Sequence, residues 1–140
     1  MKNPHYRNTF SFVNDFSALL PDTPSWEYKD GELLNTRSEK GICKVICFSP
    51  RHDLTLARME TGPITSVIDT WRGEYDTLGS KEFISHVQIF ENRGEMMGCS
   101  NPHPHCQIWA NEDIPDIPKR ETETQGAHMK NNRECLLCEY

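Results

Sequence analysis

Short alternating and continuous apolar runs divide the chain into strand-like segments around one clearly amphipathic stretch. Thr9 to Phe12 alternates polar and aromatic side chains, the period of a half-buried strand, and Asn14-Asp15 closes it with turn-forming residues. From Pro21 to Lys40 the pattern dissolves into polar residues interrupted by Pro24 and Gly31, which predicts a loop with little regular structure. Ile42 to Phe48 is rich in β-formers and stops at Ser49-Pro50, as a central strand would, leaving His52 just past its end. Ile64, Val67, Ile68, Trp71, Tyr75 and Leu78 recur at helical spacing, with Pro63 near the start and Gly79 at the end, and predict a helix. His86 to Phe90 alternates again and enters a turn at Glu91-Asn92-Arg93-Gly94, and strand character resumes at Gln107 to Ala110. These last two strands bracket the segment between them. Residues 111–140 turn acidic and then highly polar, end in Cys-Leu-Leu-Cys-Glu-Tyr, and read as a poorly ordered tail. No internal repeat is present.

With 140 residues the chain accommodates one domain and a moderate core. The formal charge of −6 argues against a nucleic-acid backbone or an anionic membrane as partner, because both require a basic face. An anionic substrate then needs a local positive potential. No hydrophobic run approaches the roughly 20 residues that span a bilayer, and the N-terminus has no apolar signal core, so a cytoplasmic location is expected. In that setting Cys43, Cys47, Cys99, Cys106, Cys135 and Cys138 are expected as reduced thiols or metal ligands rather than disulfides.

The densest candidate chemistry lies in Gly98-Cys-Ser-Asn-Pro-His-Pro-His-Cys-Gln-Ile-Trp109. Pro102 and Pro104 flank His103 and fix neighbouring backbone angles, so the histidines are presented in a set direction. A neutral imidazole is a good nucleophile toward phosphorus, and its phosphoramidate can be formed and broken near neutral pH. Donors for phosphoryl oxygens are available in the backbone N–H groups of Gly98 to Ser100, the Ser100 hydroxyl and the Gln107 amide. The same spacing equally allows His103 and His105 to point the same way and chelate a metal or sit hydrogen-bonded in a core.

The stretch from Phe90 to Ala110 closely resembles the signature of the galactose-1-phosphate uridylyltransferase family, a branch of the histidine-triad superfamily. Phe12-Val13-Asn14-Asp15-Phe16, Pro21-Asp22-Thr23-Pro24 and Val45-Ile46-Cys47-Phe48-Ser49-Pro50 are similar to its N-terminal region in the expected order. The likeness therefore extends from about Asn3 to at least Ala110. It implies an α+β fold, a histidine-triad-like antiparallel sheet with a packed helix, incomplete relative to the family: a single partial N-terminal domain over residues 1–140. It also implies a ping-pong reaction in which His105 takes UMP from UDP-glucose, releases glucose 1-phosphate and passes the UMP to galactose 1-phosphate. The His103 carbonyl would hold the far nitrogen of His105, and Gln107 stands where hydrolase relatives carry another histidine.

The family's nucleotide and phosphate contacts fall on Asn14, Asp15, Asn92, Gly98, Cys99, Ser100 and Gln107. Asn14 and Asp15 have an alternative reading as simple turn formers, and Asn92 as a cap on the turn at Gly94. Structural zinc in the family matches His52 and His103 together with a Cys-x-x-Cys pair upstream of the Thr9 strand. Cys135 and Cys138 have that spacing at the other end of the chain and are the candidates to complete the set. Glu121 matches a carboxylate that binds iron in some relatives. The family is homodimeric. Two rival readings are a histidine-triad nucleotide hydrolase, which Gln107 counts against, and a fragment that binds uridine nucleotides without turnover.

Overall fold

The computed structural model describes residues 4–99 and 101–139. Its centre is an antiparallel four-stranded sheet of β1 (Phe10–Val13), β4 (Gly41–Cys47), β5 (His86–Phe90) and β6 (His105–Asn111), in the order β1-β4-β6-β5. Strands β2 (Glu27–Asp30) and β3 (Leu34–Arg37) form a separate hairpin. Three helices follow the chain: α1 (Thr61–Gly79), α2 (Asp116–Asn132) and the single turn α3 (Leu136–Glu139). The antiparallel sheet with packed helix agrees with the α+β expectation.

The two faces of the sheet divide by the period of two. Along β6, Cys106, Ile108 and Ala110 are buried, whereas His105, Gln107, Trp109 and Asn111 alternate with them on the other face. The buried set meets α1. Ile46, Phe48, Val67, Leu78, Ile84, Cys106, Ile108 and Ala110 make one core, edged by Ile42, Trp71, Val87 and Ile89. On α1 the inward stripe carries Val67, Thr70, Trp71, Glu74 and Leu78, and it is partly polar. Glu74 Oε1 receives Lys44 Nζ and Ser11 Oγ, both at 2.5 Å, while Thr70 Oγ1 lies 2.8 Å from Thr9 Oγ1. Ile68 and Tyr75 belong to the helical repeat by spacing but sit one step round the helix, about 100° from Val67 and Glu74, and stay exposed. The Trp71 indole N–H donates to Cys106 Sγ at 3.2 Å and ties helix to strand across the core.

Two segments differ from the sequence reading. The expected loop from Pro21 to Lys40 contains the β2–β3 hairpin, with Tyr28 opposite Thr36 and Lys29 opposite Asn35, and Gly31 supplies a positive φ in the turn. Every residue of both strands is exposed, so there is no buried face to generate an alternating pattern. Residues 111–139, within the stretch read as a polar tail, are polar and largely helical. α2 buries none of its residues, so no apolar stripe marks it. Its signals are electrostatic and terminal instead: Asp116 in the first turn, Lys130 in the last, and Arg133 closing the helix in the left-handed region. Among the described residues, no helix is long and apolar enough to cross a membrane.

Candidate active site

β6 aims two polar side chains away from the core at successive outward positions, His105 and Gln107. His105 is the first residue of β6, not a residue between strands, and it pairs with Cys47 at the end of β4. One residue earlier, the carbonyl of buried Pro104 accepts the Phe48 N–H at 3.0 Å and extends this ladder past its last named pair. Proline suits that place because only its carbonyl is required there. The histidine is therefore anchored from both sides along the strand.

His105 Nδ1 lies 2.7 Å from the His103 carbonyl oxygen. A carbonyl can only accept, so Nδ1 carries the proton and Nε2 keeps a free lone pair. The His103 backbone is fixed in turn, its N–H donating to Asn101 Oδ1 at 3.0 Å. The expected division of labour, with His103 orienting His105 through its main chain, has this geometry.

Two cavities meet at the histidines. One, of about 580 Å³, is lined by Glu91, Asn92, Arg93, Glu95 and Cys99 together with His52, His103 and His105. The other, of about 660 Å³, is lined by Tyr6, Phe12, Asn14, Asp15, Phe16, Cys47 and Gln107 with the same three histidines. Thus five expected contact residues, Asn14, Asp15, Asn92, Cys99 and Gln107, converge on His105 from two sides. Asn14 also does turn work, since its Oδ1 accepts the Phe16 N–H at 3.0 Å. Gly98 lines neither cavity; it occupies φ +77°, a backbone state that favours glycine. Ser100 lies outside the described residues.

One expected source of phosphate donors is already committed. The Gly98 N–H donates to the Glu95 carbonyl at 2.9 Å and the Cys99 N–H to the Gly94 carbonyl at 3.3 Å, closing a tight turn. Arg93 brings positive charge to a cavity rim that also carries Glu91 and Glu95. Arg93, Tyr6 and Cys47 were not singled out from sequence. Arg93 had a usable signal, a cation in the turn beside the histidine segment, whereas Cys47 reaches His105 only through strand register.

His52 and His103 approach each other edge to face, with Nδ1 atoms 2.9 Å apart. Burial first, then the neighbouring His52, holds the His103 imidazole below its ordinary value, which favours the neutral ring that metals bind. The two rings thus supply two of the four nitrogen or sulfur ligands that a structural zinc takes. Among the described residues, no group of three or more His, Cys, Asp or Glu gathers in metal-binding geometry. Cys135 and Cys138 accordingly do not complete the set. They close their own turn, the Cys138 N–H donating to the Cys135 carbonyl at 2.9 Å, because α3 follows α2 rather than returning to the histidines. All six cysteines are free thiols. Glu121, on α2, lines a separate groove of about 840 Å³ with His86, Trp109 and Asp116, and among the described residues it joins no group of three or more metal-ligating side chains.

Comparison with known proteins gives a consistent match. Residues 1–115 fit the family described as galactose-1-phosphate uridyl transferase, N-terminal domain. The galactose-1-phosphate uridylyltransferase of Rattus norvegicus is 47% identical over 138 residues, covering 99% of this chain and 36% of the relative. That of Haemophilus influenzae is 45% identical over 138 residues, covering 99% and 39%. The chain thus spans under two-fifths of the length of these relatives. A solved uridylyltransferase superposes with a TM-score of 0.81 at 19% identity over 94% of this chain and 42% of that one, which shows a shared fold. An ADP-glucose phosphorylase from Arabidopsis thaliana, solved with ADP-glucose, gives 0.77 at 19% identity over 94% and 40%.

Proposed function

Because this chain belongs to the galactose-1-phosphate uridylyltransferase family, we propose that it transfers a uridylyl group from UDP-glucose to galactose 1-phosphate through His105. The observation that carries this reading is the 2.7 Å contact between His105 Nδ1 and the His103 carbonyl, which leaves Nε2 as an unprotonated nucleophile facing the cavities. Nε2 attacks the α-phosphorus, a P–N bond forms, and the bridging P–O bond breaks with its electron pair leaving on glucose 1-phosphate. A phosphate oxygen of galactose 1-phosphate then attacks the same phosphorus, the P–N bond breaks, and UDP-galactose departs from a regenerated His105.

Both leaving groups are stable without an added proton, so neither step requires a general acid. Gln107, on the same face of β6 two residues from His105, suits this chemistry: its amide can donate to a phosphoryl oxygen but cannot supply a proton. Asn14, Asp15, Asn92 and Cys99, which line the two cavities, would bind the nucleotide and phosphates. His52 and His103 would hold zinc, whose bound ion would cross-link the end of β4 to the histidine segment. The same reading makes a homodimer the working assembly, to be tested by sedimentation at equilibrium.

The decisive experiment is intact mass measurement after incubation with UDP-glucose, with His105→Gly in parallel. A UMP adduct absent from His105→Gly and discharged by galactose 1-phosphate is the expected result. Discharge by water alone would instead identify a nucleotide hydrolase. Folded protein that binds UDP-glucose without forming an adduct would refute transfer by this chain and leave a nucleotide-binding role.

A further inference from the structure

Of the six cysteines, Cys43, Cys47 and Cys106 are buried, and Cys99 lines a histidine cavity with its thiol donating to the Asn101 carbonyl at 3.0 Å. The proposed transfer makes no use of the other two. Cys135 and Cys138 are separated only by Leu136 and Leu137, both reach solvent, and they share the turn that opens α3. The Cys135 carbonyl accepts the Cys138 N–H at 2.9 Å and the Glu139 N–H at 3.2 Å. Residues three apart in such a helical turn have Cα atoms about 5 Å apart, inside the separation that a disulfide bridges. The two sulfurs are hydrogen-bond partners, with Cys138 the donor. The turn is also held at its ends: Arg133, at φ 60°, leads the chain out of α2, and Glu139 Oε2 stands 3.4 Å from His128 Nε2 on α2.

We propose that Cys135 and Cys138 form a thiol–disulfide exchange site that low-molecular-mass disulfides such as glutathione disulfide oxidise reversibly. The Cys135 thiolate attacks one sulfur of the small disulfide; a new S–S bond forms at Cys135, the small molecule's own S–S bond breaks, and one thiolate leaves. Cys138 then gives up its proton and attacks the Cys135 sulfur, closing the intramolecular disulfide and expelling the second thiolate. The cysteine pair loses two electrons, the small disulfide gains them, and the two cysteine protons pass to the two departing thiolates. The Cys138 backbone N–H, then its thiol, hold Cys135 below the ordinary cysteine value, which suits it to attack. Cys138, held up by its hydrogen bond to Cys135, is the resolving thiol. The bond closes a loop of only four residues at an exposed site, so it gains little from chain entropy and reopens readily.

The test equilibrates the full chain, reduced beforehand, with glutathione and glutathione disulfide in varied ratio, quenches with acid and maps the peptides by mass spectrometry. A disulfide within the peptide 134–140 is expected to appear as the oxidised form increases and to vanish when excess glutathione is restored. Cys138→Ser should accumulate a mixed disulfide at Cys135, at about ten times the rate at which Cys138 is modified in Cys135→Ser. Separate glutathione adducts on each cysteine of the parent, a bond between two chains, or no oxidation at either residue overturns the proposal without recourse to a variant. Modification of Cys138 as fast as that of Cys135 overturns it too. Neither UMP nor His105 takes part in any readout, so failure here is distinct from failure of the proposed transfer.

Discussion

A single glycine-to-alanine change is expected to have opposite effects at two places. A Cβ on Gly41, the first residue of β4, would stand 2.4 Å from the Ala110 carbonyl oxygen and 2.7 Å from Leu19 Cδ1. The leucine tip can move, but the carbonyl belongs to the β4–β6 ladder that pairs Gly41 with Asn111 and ends at Cys47 opposite His105. Relief therefore requires that end of the ladder to open. Overpacking of this kind costs about 1–3 kcal/mol, against about 0.5–1 kcal/mol gained from a stiffer unfolded chain, for a net loss of roughly 1–2 kcal/mol. Gly73, in the middle of α1, is exposed, and a methyl group added there would meet nothing within 4 Å. At that position alanine should gain about 0.5–1 kcal/mol by helix propensity. The two variants should differ by about 2 kcal/mol, or roughly 5–10 °C in Tm for a chain of this size. Urea and thermal unfolding followed by the fluorescence of Trp71, which packs edge-on against Phe48 at 6.1 Å, would measure this. A Gly41→Ala protein as stable as its parent would refute the close approach of β4 to β6, and a destabilised Gly73→Ala would refute the exposed helix position.

Three further outcomes follow from the core and the titrating groups. Ile108→Ala removes a fully buried side chain from the strand that carries His105 and should cost about 2–5 kcal/mol in urea unfolding; a loss below about 1 kcal/mol would contradict its burial. Native protein treated with iodoacetamide at mildly alkaline pH should label Cys135 early, because the Cys138 backbone N–H lowers its thiol, whereas burial pushes Cys106 up to about 11 and protects it. Peptide mapping that finds Cys106 labelled before unfolding would count against this. His103 is held below its ordinary 6.5 in the folded chain, so the unfolded chain binds the proton more readily. Its contribution to stability is therefore complete above pH 6.5 and lost as the pH falls through the lower folded value. Metal-free protein should lose stability over that window and His103→Gln should lose less, which unfolding at stepped pH will decide.

Much of the architecture was legible because burial writes a period into the chain. The alternation of His86 to Phe90 coincides with β5 at its observed bounds, the β-former run and the helical spacing match β4 and α1 within a few residues, and the pattern through Gln107 to Ala110 marks the core strand that carries His105. The β2–β3 hairpin and α2 were not legible, since neither buries a face and neither therefore leaves a period to detect. The histidine segment stood out as candidate chemistry through residue type and proline spacing.

Apart from the roles implied by the family resemblance, residue spacing left open which histidine does what. By sequence, His103 and His105 could chelate together or act separately, because spacing gives direction but not partners. The structure separates them: antiparallel register sets His105 beside Cys47, the local bend at Pro104 puts its ring against the His103 carbonyl, and the turn after β4 brings His52 to the His103 ring. The placement of Asn14 and Asn92, 78 positions apart, in two cavities that both include His105 is likewise a product of strand order. Local sequence determined the strands, the helix and the reactive groups, since these depend on short-range periodicity and residue chemistry. Only the pairing of distant strands decided which of those groups meet across the sheet, because contacts between β1, β4, β5 and β6 join residues far apart in the chain.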